Sequence, residues 1–276
     1  MRLRAHAKLN LSLRVRGVRA DGFHEIESLV QTIDLFDRIT LDLTRSGIEA
    51  DNDLGVPADE DLAVRAARLL LREKGVAAGV RIVVRKGIPV GAGLGGGSSD
   101  AAAVLWGLDR LTGPAVPRSR LEAFAAALGS DVPLFLTGGR LRITGRGERI
   151  AAARSVGGEH FVVLVPPISC DTGVVYAAFD GLRAIGGQAT LCPGENDLWP
   201  AARARYPQLA PYAEAVGKLP AIYGGMSGSG AAFYAAFETV QAAREAGNRL
   251  AARFPEARVV RCEPTCGGQT IDEGEG

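Results

Sequence analysis

Between residues 88 and 108 the chain reads IPVGAGLGGGSSDAAAVLWGL, and five of the seven positions from 91 to 97 are glycine. The run follows the apolar strand-like segment 79–85 and precedes an alanine- and leucine-rich stretch with helical character. Glycine costs backbone entropy and brings no side chain to a core. Such a run therefore serves either a tight strand-to-helix turn or a ligand that must come close to the main chain. The start of a helix leaves its first N–H groups unbonded and carries partial positive charge. Without Cβ atoms in the way, phosphate oxygens reach those groups, and Ser98 and Ser99 add hydroxyls for a phosphate or a magnesium ion. Gly91, Gly93 and Gly96 fit the letters G-x-G-x-x-G, but a dinucleotide fold places that pattern after its first strand. No Lys-Ser/Thr pair closes the run, so it is not a Walker loop.

The rest of the composition narrows the ligand. Lys plus Arg number 32 against 31 Asp plus Glu, a net charge of +1. This gives no general field for nucleic acid or a membrane surface, so an acidic ligand has to be held by local geometry. The chain is 276 residues long and 47% hydrophobic, enough for one large or two ordinary domains. No apolar run reaches the roughly 18 residues that span a bilayer, and the opening MRLRAHAKLN lacks the apolar segment of a signal peptide. The four cysteines and three histidines are scattered. The expectation is a cytoplasmic protein with free thiols and no metal cluster of its own side chains.

Residues 9–15 alternate cleanly, which predicts a strand with Leu9, Leu11, Leu13 and Val15 on its core face and Lys8, Asn10 and Ser12 on the other. A turn is expected at 19–26 and a strand at 39–43. Helices are expected at 59–75, 98–111 and 119–129, with a strand at 79–89 between the first two. Segment 151–159 reads as an inter-domain link. Beyond it lie an apolar strand from 160, a helix at 173–185, a loop at 186–200, a helix at 207–218 and a second glycine-rich run at 223–237. A helix at 239–254 and a strand at 257–263 follow, and 267–276 reads as a disordered tail. Strands and helices alternate irregularly, which indicates an α+β chain of two lobes, 1–152 and 153–266.

The segment Pro89 to Ala102, P-x-G-x-G-L-G-G-G-S-S-D-A-A, resembles the phosphate loop of the GHMP kinases, the superfamily of galactokinase, homoserine kinase and mevalonate kinase. Three further segments are similar to its 4-diphosphocytidyl-2-C-methyl-D-erythritol kinase family. They are AKLNLSLRVRGVRADGFHEIESLVQTIDLFD at 7–37, LGSDVPLFLTGG at 128–139 and MSGSGAAF at 226–233. The resemblance implies an N-terminal lobe like ribosomal protein S5 domain 2 and a ferredoxin-like C-terminal lobe, with the active site between them. It also implies that ATP, with Mg2+, phosphorylates the 2-hydroxyl of the cytidyl substrate in the non-mevalonate route to isoprenoids. The rivals are a homoserine- or mevalonate-type kinase of the same superfamily, and a non-catalytic nucleotide sensor.

By the same resemblance Lys8 and Asp131 form the catalytic pair, Asp131 as general base for a tertiary alcohol and Lys8 as its electrostatic partner. The residues alone leave Asp131 equally suited to cap a helical turn, and Lys8 to be a solvated charge at a strand edge. ATP would be held by Lys86, Pro89, Gly91, Gly93, Leu94, Gly95, Gly96, Gly97, Ser98 and Ser99. Asn10, Phe23, His24, Thr172 and Tyr176 would bind the substrate, with Phe23 and Tyr176 stacking on the base and His24 hydrogen-bonding it. Phe23 stands where relatives often carry tyrosine. Asp61 stands where they usually carry asparagine; it offers only acceptors, which puts the adenine contact there in doubt. Ser227 to Gly230 either close the cleft or make a plain β-turn.

Overall fold

The computed structural model describes residues 1–52, 56–57, 59–154, 157–182 and 192–272. In chain order the first lobe contains β1 (Arg2–Val18), β2 (His24–Thr44), β3 (Ile48–Asn52), α1 (Leu62–Lys74), β4 (Gly79–Arg85), α2 (Gly96–Leu111), α3 (Arg118–Leu128), α4 (Val132–Thr137), β5 (Arg140–Gly145) and β6 (Arg149–Ala152). The second contains β7 (His160–Val165), α5 (Thr172–Leu182), α6 (Trp199–Arg205), α7 (Ala210–Gly217), β8 (Tyr223–Met226), β9 (Phe233–Phe237), α8 (Val240–Arg253) and β10 (Arg258–Cys262). A last strand, β11 (Gln269–Ile271), returns to the first lobe. The larger sheet runs β11-β1-β2-β4-β3, with β5 and then β6 branching from β2. The smaller sheet runs β10-β7-β9-β8.

β1 ties the lobes together. Its odd-numbered residues from Leu3 to Val15 are all apolar and buried, but they do not share one core. Leu3, Ala5, Leu13 and Val15 belong to the core that includes the helices of the first lobe. Ala7, Leu9 and Leu11 pack instead with Phe161, Val163 and Tyr234 of the second sheet. Breaks in the β1–β2 register between His6 and Ala7, and between Asn10 and Ser12, bracket the change; such irregularities re-aim the side chains of a strand. The even-numbered Lys8, Asn10 and Ser12, expected on an outer face, are therefore buried where the lobes meet. Truncating a fully buried leucine such as Leu9 or Leu11 costs about 2–5 kcal/mol, so the junction is part of the fold's stability.

Several expectations need correction. Residues 267–272 are not a free tail. β11 pairs antiparallel with β1, and Asp272 accepts from Arg4 Nη2 at 2.7 Å. Gly268 lies so close to α4 that a Cβ there would fall 1.8 Å from the Phe135 carbonyl oxygen; residues 273–276 lie outside the described residues. The expected link at 151–159 begins inside β6. The second glycine-rich run, to which the sequence alone assigns no element, is the hairpin of β8 and β9. β2 extends back to His24, well before the alternating 39–43, because it pairs with β1, β4 and β5 and is buried on both faces over Val30–Ile33. Part of the expected loop 186–200 lies outside the described residues, and its end is already helix α6.

Candidate active site

A cleft of about 860 Å³ opens between the lobes. Its floor is the glycine run. Gly95 precedes α2 with φ +75° and offers no side-chain cap, so the first N–H groups of α2 are left to whatever fills the cleft. The glycines are not equivalent. A Cβ at Gly93 (φ +75°) would meet the Ser227 carbonyl oxygen at 2.3 Å. Glycine is needed there by the fold itself. At Gly97 a Cβ would touch only Leu62, at 3.9 Å. Gly97 is exposed and lines the cleft, so nothing in the protein forbids a side chain there. Gly93 is thus glycine for the turn, whereas no protein contact requires glycine at Gly97.

Of the expected nucleotide residues, Lys86, Pro89, Gly91, Gly93, Leu94, Gly95, Gly96, Gly97 and Ser98 all line the cleft. Ser99 does not. It is buried, its hydroxyl donates to the His6 carbonyl at 2.7 Å, and its N–H bonds Gly95. It pins α2 to β1 and leaves the candidate set. Lys86 sits beneath Gly96, its ammonium held by Asp37 and, at 2.7 Å, by Asp100. Burial pushes the Asp100 carboxyl up from its ordinary value, while Asp37 also accepts from the N–H groups of Gly87 and Ile88. The Lys86 ammonium is thus already matched by carboxylates in this structure. Asp61 is the N-cap of α1: Oδ1 accepts from the Ala63 N–H at 2.8 Å and Oδ2 from Asn52 at 2.7 Å. Both oxygens are engaged in local structure, which accounts for an aspartate here without an adenine.

Lys8 and Asp131 meet in the middle of the cleft, Nζ to Oδ2 3.6 Å. Lys8 is buried and also donates to Asn10 Oδ1; it is no strand-edge surface charge. Burial holds its ammonium below the ordinary lysine value, and Asp131 opposes that shift. Asp131 precedes α4 but makes no capping hydrogen bond, so the cap reading fails. Asn10 is fixed in turn by Ser28, which accepts from its amide at 2.8 Å. Lys8 is thus held between Asp131 and the Asn10–Ser28 pair.

At the far end, Phe23, His24, Thr172 and Tyr176 all line the cleft. Phe23 is 50% exposed, and the Arg146 guanidinium lies 5.2 Å from its ring centroid. The ring that meets Tyr176 is that of His24, with centroids 4.6 Å apart. Burial, with the Asp131 charge added, pushes the Tyr176 phenol up, so it stays neutral. Thr172 shares a hydrogen bond with Ser229 at 2.9 Å. Ser227 to Gly230 form a turn closed by Gly230 N–H to the Ser227 carbonyl at 3.0 Å. Gly228 and Ser229 of that turn face the cleft, whereas Ser227 is buried and donates to Gly93.

Sequence reading missed Arg146 and Asp180, which also line the cleft. Asp180 had a signal: it follows Thr172 and Tyr176 at four-residue spacing, one face of a helix. Arg146 lies in a turn with no pattern to mark it. Asn196, from the segment expected as a loop, donates to the carbonyls of Met226 and Gly228 at 2.8 Å each and supports the turn from behind.

The GHMP kinases N terminal domain family matches residues 61–139 and the GHMP kinases C terminal family residues 182–256. A 4-diphosphocytidyl-2-C-methyl-D-erythritol kinase of Thiobacillus denitrificans is 41% identical over 249 residues, 87% of each chain. One of Nitrosomonas europaea is 39% identical over 257 residues, covering 89% of this chain and 91% of its own. A crystal structure of a 4-(cytidine 5'-diphospho)-2C-methyl-D-erythritol kinase superposes with a TM-score of 0.82 at 36% identity, over 95% of this chain and 99% of that one. Homoserine kinase of Cytophaga hutchinsonii shares the fold, with a TM-score of 0.75 at 18% identity. With a two-lobed α+β fold, an uncapped helix above a glycine loop and family-level identity along most of its length, the chain belongs to the 4-diphosphocytidyl-2-C-methyl-D-erythritol kinase family of the GHMP kinases.

Proposed function

We propose that this cleft transfers the γ-phosphoryl group of ATP to the 2-hydroxyl of 4-diphosphocytidyl-2-C-methyl-D-erythritol, a step of the non-mevalonate route to isoprenoid precursors. The observation that carries the reading is the buried Lys8 beside an uncapped Asp131, 3.6 Å apart between the glycine loop and the aromatic end. The phosphates lie against the N-terminus of α2, where backbone N–H groups and the Ser98 hydroxyl bind them. Asp131 takes the alcohol proton as the oxygen attacks phosphorus, and the bond from the γ-phosphorus to the bridging oxygen breaks to release ADP. Lys8, 3.6 Å from Asp131, stabilises charge growing on the alcohol oxygen. Phosphoryl transfer asks for little beyond positioning and charge, and these groups meet that demand.

Among the described residues there is no group of three or more His, Cys, Asp or Glu that holds a metal. A magnesium ion would be carried on the nucleotide phosphates, with the Ser98 hydroxyl, which lines the cleft, as the nearby protein oxygen; bound there it would neutralise phosphate charge. Phe23, His24, Thr172 and Tyr176 take the cytidyl end of the substrate. We place the activity in the cytosol, the compartment that suits four cysteine thiols.

The test is to offer the protein ATP, Mg2+ and a panel of alcohols comprising the cytidyl compound, homoserine and mevalonate, and to follow phosphorylated products by mass spectrometry. Product from the cytidyl compound alone is expected. Turnover of homoserine or mevalonate in its place overturns the substrate assignment, and no turnover of any alcohol overturns the kinase reading.

A further inference from the structure

His24 opens β2 in the first lobe, and the group that orients it lies in the second. Its Nε2 stands 2.8 Å from Oδ1 of Asp180, near the end of α5. A carboxylate only accepts hydrogen bonds. In the neutral ring the hydrogen is therefore on Nε2, and Nδ1 keeps a lone pair. The ring is also held by contact: Tyr176 lies 4.6 Å away on a tilted face and Phe179 edge-on at 6.3 Å. Nδ1 has no hydrogen-bond partner among the described residues, on a side chain that lines the cleft. Four-residue spacing places Thr172, Tyr176 and Asp180 on one face of α5, so a hydroxyl, a ring and a carboxylate are presented to the cleft by one helix.

We propose that Asp180 is a positioning residue that sets base specificity: by holding the His24 hydrogen on Nε2 it presents Nδ1 as an acceptor to the 4-amino group of cytosine. The inference rests on the cytidyl substrate proposed above. A uracil base turns a carbonyl oxygen toward the same atom, so two acceptors face each other and neither is satisfied. Sites built around one hydrogen-bonding polarity discriminate strongly against the opposite one.

The experiment compares kcat/KM for the cytidyl substrate and its uridyl counterpart in wild type, Asp180→Asn and Asp180→Glu. Wild type is expected to prefer the cytidyl compound by about 10²-fold or more. The amide of Asp180→Asn both accepts and donates, so it no longer dictates the tautomer. The preference is expected to fall about tenfold, through a higher KM for the cytidyl compound and a lower one for the uridyl compound, with the KM for ATP unchanged. Asp180→Glu restores most of the preference. A second readout needs no substrate. Long-range ¹⁵N–¹H correlation of the three histidines, with His24 assigned through His24→Gln, should show the Nε2–H tautomer in wild type and its loss in Asp180→Asn. An unchanged cytidyl-to-uridyl ratio in Asp180→Asn, or a hydrogen on Nδ1 of wild-type His24, overturns the inference. A wild type that fails to phosphorylate the cytidyl compound overturns the substrate reading beneath it, and the NMR signature then still reports on the tautomer by itself.

Discussion

The two ends of the cleft are built by different means. At the phosphate end the glycine loop is fixed by backbone against backbone. Gly93 abuts the carbonyl of Ser227, Lys8 N–H bonds the Leu94 carbonyl at 3.0 Å, and Ser227 donates to Gly93 at 3.0 Å. At the base end, side chains from two lobes approach one another: Phe23 is half exposed, while His24 reaches across to Asp180 and to Tyr176, whose ring packs on the core. A loop locked by its main chain tolerates few changes and offers mainly backbone N–H groups to the cleft. A slot made of side chains tolerates many changes to the fold and depends on each ring for its ligand. Between the two ends, the side chains of Lys8 and Asp131 meet 3.6 Å apart.

That division sets the sizes of the expected effects. The largest belongs to the middle. Asp131→Asn removes the base without disturbing a cap, and kcat is expected to fall by about 10²–10⁴ with both KM values little changed. A variant within a few-fold of wild type in kcat would show that proton transfer does not run through Asp131. Next comes the phosphate end, at the one glycine that the protein leaves open. Gly97→Ala puts a methyl group in free space near the start of α2, where replacing glycine stabilises a helix by about 0.5 kcal/mol. The same methyl group stands where phosphate oxygens approach. The melting temperature is expected to rise while the KM for ATP rises about tenfold. An unchanged KM for ATP in the stabilised protein would leave Gly97 as a structural residue only.

How much of this was written in the sequence follows the same division. The α2 helix and its glycine loop were legible, because strand, glycine run and helix are contiguous and their signals local. Lys8 and Asn10 were readable as one face of a strand, but their burial was not. It depends on the register breaks that hand Ala7, Leu9 and Leu11 to the second sheet, and register is set by partners distant in sequence. The return of β11 to β1 was missed for the same reason. Segment 267–276 has the composition of a tail, and only pairing across the whole chain makes part of it a strand. Ser99 looked like a phosphate ligand because it neighbours Ser98. In a helix, adjacent residues point about 100° apart, and its hydroxyl goes to His6 instead. Asp61 was questioned as an adenine contact, and its cap bond to Ala63 gives the reason an acceptor suits the position.

The base end should respond more gently. Phe23→Ala is expected to raise the KM for the cytidyl substrate about fivefold, the low end of what one aromatic stack contributes, because the ring is half exposed in this structure. The KM for ATP should stay at the wild-type value. Phe23→Tyr keeps the stacking face and should be close to neutral for both substrates. Equal losses for ATP and the cytidyl compound in Phe23→Ala would mean that the ring supports the fold and not the base.

The cleft consists of two separately built ends that meet at the side chains of Lys8 and Asp131. The most direct measurement is the pair of KM values in the double variant Gly97→Ala/Phe23→Ala. Distant, independent sites contribute additively in free energy. The double variant is therefore predicted to show the ATP KM of Gly97→Ala alone, about tenfold up, and the cytidyl KM of Phe23→Ala alone, about fivefold up. A double variant in which either KM departs from its single-variant value by more than about threefold would contradict the account, since it would mean that the loop and the base slot move as one.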